Sequence, residues 1–171
     1  YIGAAEMHAK HGTTALLPTT LTSTYEELLK TFYIYRKANS QNNKGAKFLG
    51  LHLEGPYFSY NQRGAQDPKY LRNPEPEEYN KILAESDDIV RWSLAPELPG
   101  AFEFGEVLAS RNILTSIAHS DAIFEEAVKA FHSGFTHVTH LYSAMSSVTR
   151  RNAFRYAGVL EAAYMIDDMT V

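Results

Sequence analysis

The sequence contains no cysteine, which excludes a disulfide framework and any thiolate metal site. A transition metal would have to be held by imidazole and carboxylate. No stretch approaches the length of a membrane span, and no charged leader followed by an apolar run opens the chain. The expectation is therefore a cytoplasmic protein without a membrane partner. No Gly-x-Gly-x-x-Gly follows the first strand-like run, which counts against nucleotide binding of that type. A large excess of one charge is also missing. The 16 Lys and Arg against 20 Asp and Glu leave a net charge of −4, which offers no electrostatic reason to expect nucleic acid.

What is present is ordinary for a soluble globular domain: 171 residues, 44% hydrophobic and 21% charged, enough to bury a real core. The chain opens at Tyr1 inside a helix-like segment that runs to Lys10 and stops at Gly12. It closes at Met169–Thr170–Val171, which reads as a strand beginning. Both ends lead to the expectation that residues 1–171 are a single domain cut from a longer protein.

Apolar runs alternate with segments of helical period. Thr14–Thr20 reads as a strand. A helix follows whose start carries Ser23 and Thr24, each three residues before a glutamate, the spacing of a capping box. Tyr25, Leu28, Leu29, Phe32 and Tyr35 give it an apolar stripe, and Asn39–Gly45 is its exit loop. Phe48–Glu54 is the second strand, followed by a long loop over Gly55–Pro76 and a helix over Glu77–Glu85. The third strand is Arg91–Glu97. Ala101–Ser110 is helical, Ile113–His119 a strand, and Asp121–Ser133 a helix capped by Ser120 or Asp121. Phe135–Tyr142 is a strand, Ser143–Tyr156 a polar loop, and Tyr164–Ile166 and Met169–Val171 are weaker strand candidates. Such alternation predicts a parallel sheet with helices outside it. It leaves closed barrel and open sheet undecided.

Polar residues collect at the strand ends: Glu54, Glu97, His119 and His140. Within Phe48–Glu54, alternation points Leu49, Leu51 and Leu53 toward the helices and Gly50, His52 and Glu54 inward. Alone, Glu54 is better explained by a salt bridge or a loop cap. His119 and His140, however, each end an apolar run one strand–helix–strand repeat apart. Neighbouring parallel strands lie about 4.8 Å apart, so both imidazoles can reach one ion. Two histidines and a glutamate, with room for water, form the pattern of a catalytic rather than structural metal site. His52 reads as an interior hydrogen-bonding residue and Glu97 as support for the site. His137, of opposite parity to His140, is predicted to face the helices. Asp121 reads as a helix cap.

The strings Gly50–Leu51–His52–Leu53–Glu54–Gly55–Pro56, Leu94–Ala95–Pro96–Glu97, Ala118–His119–Ser120–Asp121–Ala122 and Thr139–His140–Leu141–Tyr142–Ser143–Ala144–Met145 resemble the N-acetylglucosamine-6-phosphate deacetylase family of the amidohydrolase superfamily. The resemblance runs in order through nearly the whole chain. It implies a (β/α)8 barrel, of which this chain would hold about five to six βα units, with the family's small β-sandwich lying outside it. It implies a metal-dependent hydrolase that takes the acetyl group from N-acetylglucosamine 6-phosphate, an enzyme of amino-sugar metabolism acting as a homodimer. Glu54, His119 and His140 match the family's metal ligands, with zinc the usual ion and iron or another divalent ion also used. The aspartate that moves the proton is expected beyond Val171, and the His-x-His of two-metal members before Tyr1. Arg151 matches an arginine that reaches the sugar phosphate across the dimer interface. Ser143 and Ala144 would offer peptide N–H groups to phosphate, although many relatives carry asparagine at Ser143. Gln66 stands where relatives often place a histidine, and would meet the sugar. These two departures leave open another N-acyl amino sugar or a cyclic amide as substrate. Without the aspartate, a non-catalytic barrel segment also remains open.

Overall fold

The computed structural model describes residues 1–171. Helix α1 (Ile2–Lys10) leads into the short strand β1 (Ala15–Leu16), helix α2 (Tyr25–Gln41) and strand β2 (Lys47–Phe48). Thr24 caps α2 as its spacing predicts: its side chain accepts from the Glu27 N–H, and Glu27 answers to the Thr24 N–H. Leu28, Phe32, Tyr35 and Ala38 form the buried stripe of α2. The helix runs through Gln41, three residues into the predicted exit loop.

Then follow β3 (Leu51–Glu54), a one-turn 3-10 helix (Pro68–Tyr70), α3 (Pro76–Glu85), β4 (Ile89–Leu94), α4 (Ala101–Ser110), β5 (Leu114–Ile117), α5 (Phe124–His132) and β6 (Phe135–Val138). Strands β3 to β6 form a four-stranded parallel sheet in sequence order. Parallel contacts extend it on both sides, with Thr19 bridging His52 and Thr170 bridging His137. Strand and helix thus follow one another around an arc, as the alternation predicts.

Several predicted bounds move. The run Phe48–Glu54 is two strands, because Gly50 breaks it at φ +139°. A Cβ on Gly50 would lie 2.4 Å from Val90 Cγ1, so only glycine fits this crossing. The break also undoes the alternation, and Leu49 is exposed while Leu51 and Leu53 are buried. Strand β4 ends at Leu94, so Glu97 lies in the loop beyond it. The predicted loop Ser143–Tyr156 contains a hairpin, β7 (Thr149–Arg151) and β8 (Phe154–Tyr156), and Tyr164–Ile166, predicted as strand, falls at the end of helix α6 (Val159–Met165).

The two faces of the sheet differ in chemistry. Toward the helices, Leu51, Leu53, Trp92, Leu94, Ile117 and Val138 join Tyr57, Tyr79 and Phe104 in one core. Trp92 packs edge-on to Phe104 at 4.9 Å and donates from Nε1 to the Gly55 carbonyl at 3.0 Å, which ties the core to the loop after Glu54. The inner face is polar and hydrogen-bonded. His52 Nε2 lies 2.6 Å from Ser93 Oγ, Ser93 Oγ 2.7 Å from Thr139 Oγ1, and Arg91 Nη2 donates to Thr139 Oγ1 at 2.6 Å. His52 is therefore the interior residue its parity suggests. His137 is not where its parity puts it: Ser116 and Arg91 hold its Nδ1 on this inner face.

Candidate metal centre

Glu54 closes β3, His119 stands two residues past β5, and His140 two residues past β6. Both histidines have left-handed backbone, φ +48° and +38°. This turns their rings back over the C-terminal ends of the sheet. Glu54 Oε1 lies 2.9 Å from His119 Nε2 and 3.5 Å from His140 Nε2, and the two Nε2 atoms are 3.3 Å apart. A tetrahedral ion with ligand bonds of about 2.0–2.1 Å has ligand–ligand edges of about 3.3 Å. The three donors thus form one face of such a tetrahedron.

The tautomer agrees. His119 Nδ1 lies 2.8 Å from the Gln62 carbonyl oxygen, which can only accept, so Nδ1 carries a proton and Nε2 is the nitrogen left to act as a ligand. That Nε2 faces a carboxylate oxygen and a second imidazole nitrogen. A positive centre, proton or cation, must lie between them. The site is sheltered on one side and open on the other, with the side chains of Glu54 14%, His119 7% and His140 34% exposed.

Burial pushes the Glu54 carboxyl upward, but hydrogen bonds from His119 and His140, with the charges of His119 and His52, outweigh it and hold the group well below the ordinary carboxylate range. The reciprocal bond from Glu54 raises His140 against its own partial burial. Gln66, which is buried, stands beside the ligands. Its Oε1 accepts from the N–H and hydroxyl of Thr22 at 2.9 and 3.0 Å, and its Nε2 lies 3.4 Å from Glu54 Oε1.

Around His119 the chain is held from both sides. Glu97, raised by burial, accepts from Ser120 Oγ at 2.7 Å and from the Asp121 N–H at 2.6 Å. Asp121 is not a helix cap. Helix α5 starts at Phe124, where Glu126 receives the Ile123 N–H, and the Asp121 carboxylate instead accepts from Ser59 Oγ at 2.9 Å and Gln62 Nε2 at 2.6 Å. Sequence reasoning missed Ser59, Gln62 and Thr22. Nothing in their spacing marks them, since each meets its partner through the long loops.

The phosphate candidates lie on the open side. Arg151, exposed on β7, donates from Nη2 to the Asp121 carbonyl at 3.1 Å. The Ser143 N–H is engaged by the His140 carbonyl at 2.9 Å, while Ala144, at φ +52°, receives the Ser120 N–H on its carbonyl. A cavity of about 380 Å³ lined by Leu83, Ser86, Asp87, Ile89, Arg111 and Ile113 sits at the opposite ends of β4 and β5, away from these residues.

This arrangement has counterparts among known proteins. The Amidohydrolase family profile matches residues 3–170. The N-acetylglucosamine-6-phosphate deacetylase of Haemophilus influenzae is 35% identical over 144 residues, covering 84% of this chain and 37% of that protein. Its human namesake is 38% identical over 144 residues, covering 79% and 34%. The crystal structure of the Pasteurella multocida N-acetylglucosamine-6-phosphate deacetylase superposes with a TM-score of 0.81 at 32% identity, over 93% of this chain and 40% of that one. A mutant Mycobacterium smegmatis deacetylase in complex with N-acetyl-D-glucosamine-6-phosphate gives 0.82 at 28% identity, with the same coverage. The chain therefore spans roughly two fifths of the length of these relatives. With its parallel α/β architecture, and its strand-end carboxylate and imidazoles, it is part of a (β/α)8 barrel. The chain belongs to the amidohydrolase family.

Proposed function

We propose that this chain supplies the metal-binding arc of an N-acetylglucosamine-6-phosphate deacetylase, which hydrolyses the acetamide to glucosamine 6-phosphate and acetate. The observation that carries the reading is the triangle of Glu54 Oε1, His119 Nε2 and His140 Nε2, all within 4.8 Å of one another at the open ends of the sheet. The names of the similar proteins support the substrate class.

The chemistry a divalent ion supplies when bound is Lewis acidity toward water and toward the acetamide carbonyl. Zinc is the proposed ion, since two imidazoles and a carboxylate suit it. The residues of this chain bind and orient. Glu54 brings the negative charge, and His119 offers a lone pair fixed by its bond to Gln62. His140 flanks the exposed side, where substrate enters. Across the dimer interface the Arg151 guanidinium takes the sugar phosphate with its paired donors, joined by the peptide N–H of Ala144, since the His140 carbonyl already takes the Ser143 N–H. Gln66 meets the substrate from beside Glu54. The proton is moved by an aspartate on a strand outside residues 1–171. In this reading the whole chain is one domain of the barrel, and the family's β-sandwich lies outside it. The parent protein is a cytoplasmic homodimer of amino-sugar metabolism.

Metal content and deacetylation measured on Glu54→Ala, His119→Ala and His140→Ala variants of the parent protein test the assignment. Each variant is expected to lose both. Retention of metal and turnover in all of them would refute it.

A further inference from the structure

Asp121 has no part in the metal triangle, yet it grips the same short turn as His119. The turn is Ser59 to Gln62, closed by the Gln62 N–H on the Ser59 carbonyl at 3.2 Å. Four further hydrogen bonds join it to residues 119–121. The Ser59 N–H donates to the His119 carbonyl at 2.9 Å, and Ser59 Oγ to Asp121 Oδ2 at 2.9 Å. Gln62 Nε2 donates to Asp121 Oδ1 at 2.6 Å, and His119 Nδ1 to the Gln62 carbonyl at 2.8 Å. The last of these decides which nitrogen of His119 holds the proton.

We propose that Asp121 is a positioning residue of the metal centre: by holding Ser59 and Gln62 it keeps the Gln62 carbonyl on His119 Nδ1 and so keeps Nε2 free as a ligand. The inference rests on the metal-site reading above. It uses both carboxylate oxygens, each with a separate donor, which a residue serving as a helix cap would not need. Groups that orient a metal-binding imidazole typically carry about 10–100-fold in metal affinity.

The test is zinc affinity by chelator competition, together with the side-chain nitrogen shifts of His119 in the metal-free protein. Asp121→Ala is expected to weaken zinc binding about tenfold or more and to replace the single Nδ1–H tautomer by a mixture. Asp121→Asn should return zinc affinity to within about threefold of the original, because its amide can still accept from Ser59 and can pair with a turned Gln62 amide. A merely structural role would change stability without moving the tautomer. Unchanged zinc affinity and tautomer in Asp121→Ala would overturn the proposal, and an Asn variant as weak as the Ala variant would overturn its hydrogen-bond basis. Should Asp121→Ala not fold, Ser59→Ala and Gln62→Ala each remove one arm, and wild-type affinity in both would overturn it equally. Failure of the metal-site reading shows up separately, as undiminished zinc binding by His119→Ala.

Discussion

Replacing Glu54 by glutamine keeps the shape of the side chain and removes its charge, so it isolates what the carboxylate does. Structural zinc sites bind with about 10–16 kcal/mol spread over four ligands, or roughly 3 kcal/mol for each. That corresponds to about a 100-fold loss of zinc affinity. The surroundings sharpen the expectation. Glu54 Oε1 faces both Nε2 atoms, 2.9 Å from that of His119 and 3.5 Å from that of His140, and Gln66 already directs an N–H toward it. An amide that presents its oxygen to the rings keeps geometry but loses the charge. One that presents its nitrogen sets a donor where a ligand should be. In the metal-free protein the same substitution should cost about 1–3 kcal/mol, since partly buried imidazoles lose a charged partner. Competition with a chromophoric chelator reads the affinity, and denaturant unfolding reads the stability. If Glu54→Gln binds zinc within about threefold of the original while His119→Ala and His140→Ala do not, the carboxylate is not the third ligand.

Three other outcomes follow from the fold. Gly50→Ala should destabilise by about 2–4 kcal/mol, because its Cβ collides with Val90 at 2.4 Å and an unfavourable φ adds strain; unfolding within about 0.5 kcal/mol of wild type would contradict this. Trp92→Phe removes a fully buried indole and leaves the Gly55 carbonyl without its donor, so a loss of about 2–4 kcal/mol is expected, with weaker zinc binding through the displaced Glu54 loop; unaltered zinc affinity would uncouple core from site. Burial and the Arg91 charge hold His137 at about 4, below its ordinary 6.5, so between those values the unfolded chain binds a proton that the folded one does not. The stability gained from a neutral His137 is complete above pH 6.5 and is lost as the pH falls toward 4, by on the order of 2 kcal/mol for this partly buried ring. Denaturation of the metal-free protein across that range checks it, and Arg91→Gln should narrow the window.

Much of the fold was legible because it rests on local patterns. The Thr24–Glu27 box set the start of α2, and the spacing of Leu28, Phe32 and Tyr35 set its buried stripe. Alternating elements predicted the parallel sheet. What was not legible depended on contacts between distant segments. The split at Gly50 follows from Val90, forty residues on. Asp121 looked like a cap because it precedes a helical segment, but Ser59 and Gln62, brought in by the loop after Glu54, take its carboxylate. The hairpin β7–β8 lies in a stretch rich in arginine and poor in alternation, which sequence pattern reads as loop.

The histidines show where strand reasoning ends and why the site works beyond that point. Alternation assigns faces only while the backbone stays extended. It correctly placed His52 inside, in the middle of β3, and failed at His137. The parity argument for His137 counted back from His140, through residues that are no longer strand. Strands β5 and β6 stop at Ile117 and Val138, and His119 and His140 reach the proposed ion site from left-handed backbone. Such a conformation costs a non-glycine residue on the order of 1–3 kcal/mol and persists only where neighbours hold it. At His119 those neighbours are the Ser59 N–H on its carbonyl and Glu97 on the next two residues. The candidate ligand atoms can be found by motif, but their directions are set by this polar scaffold, drawn from two loops and invisible to any single run of residues.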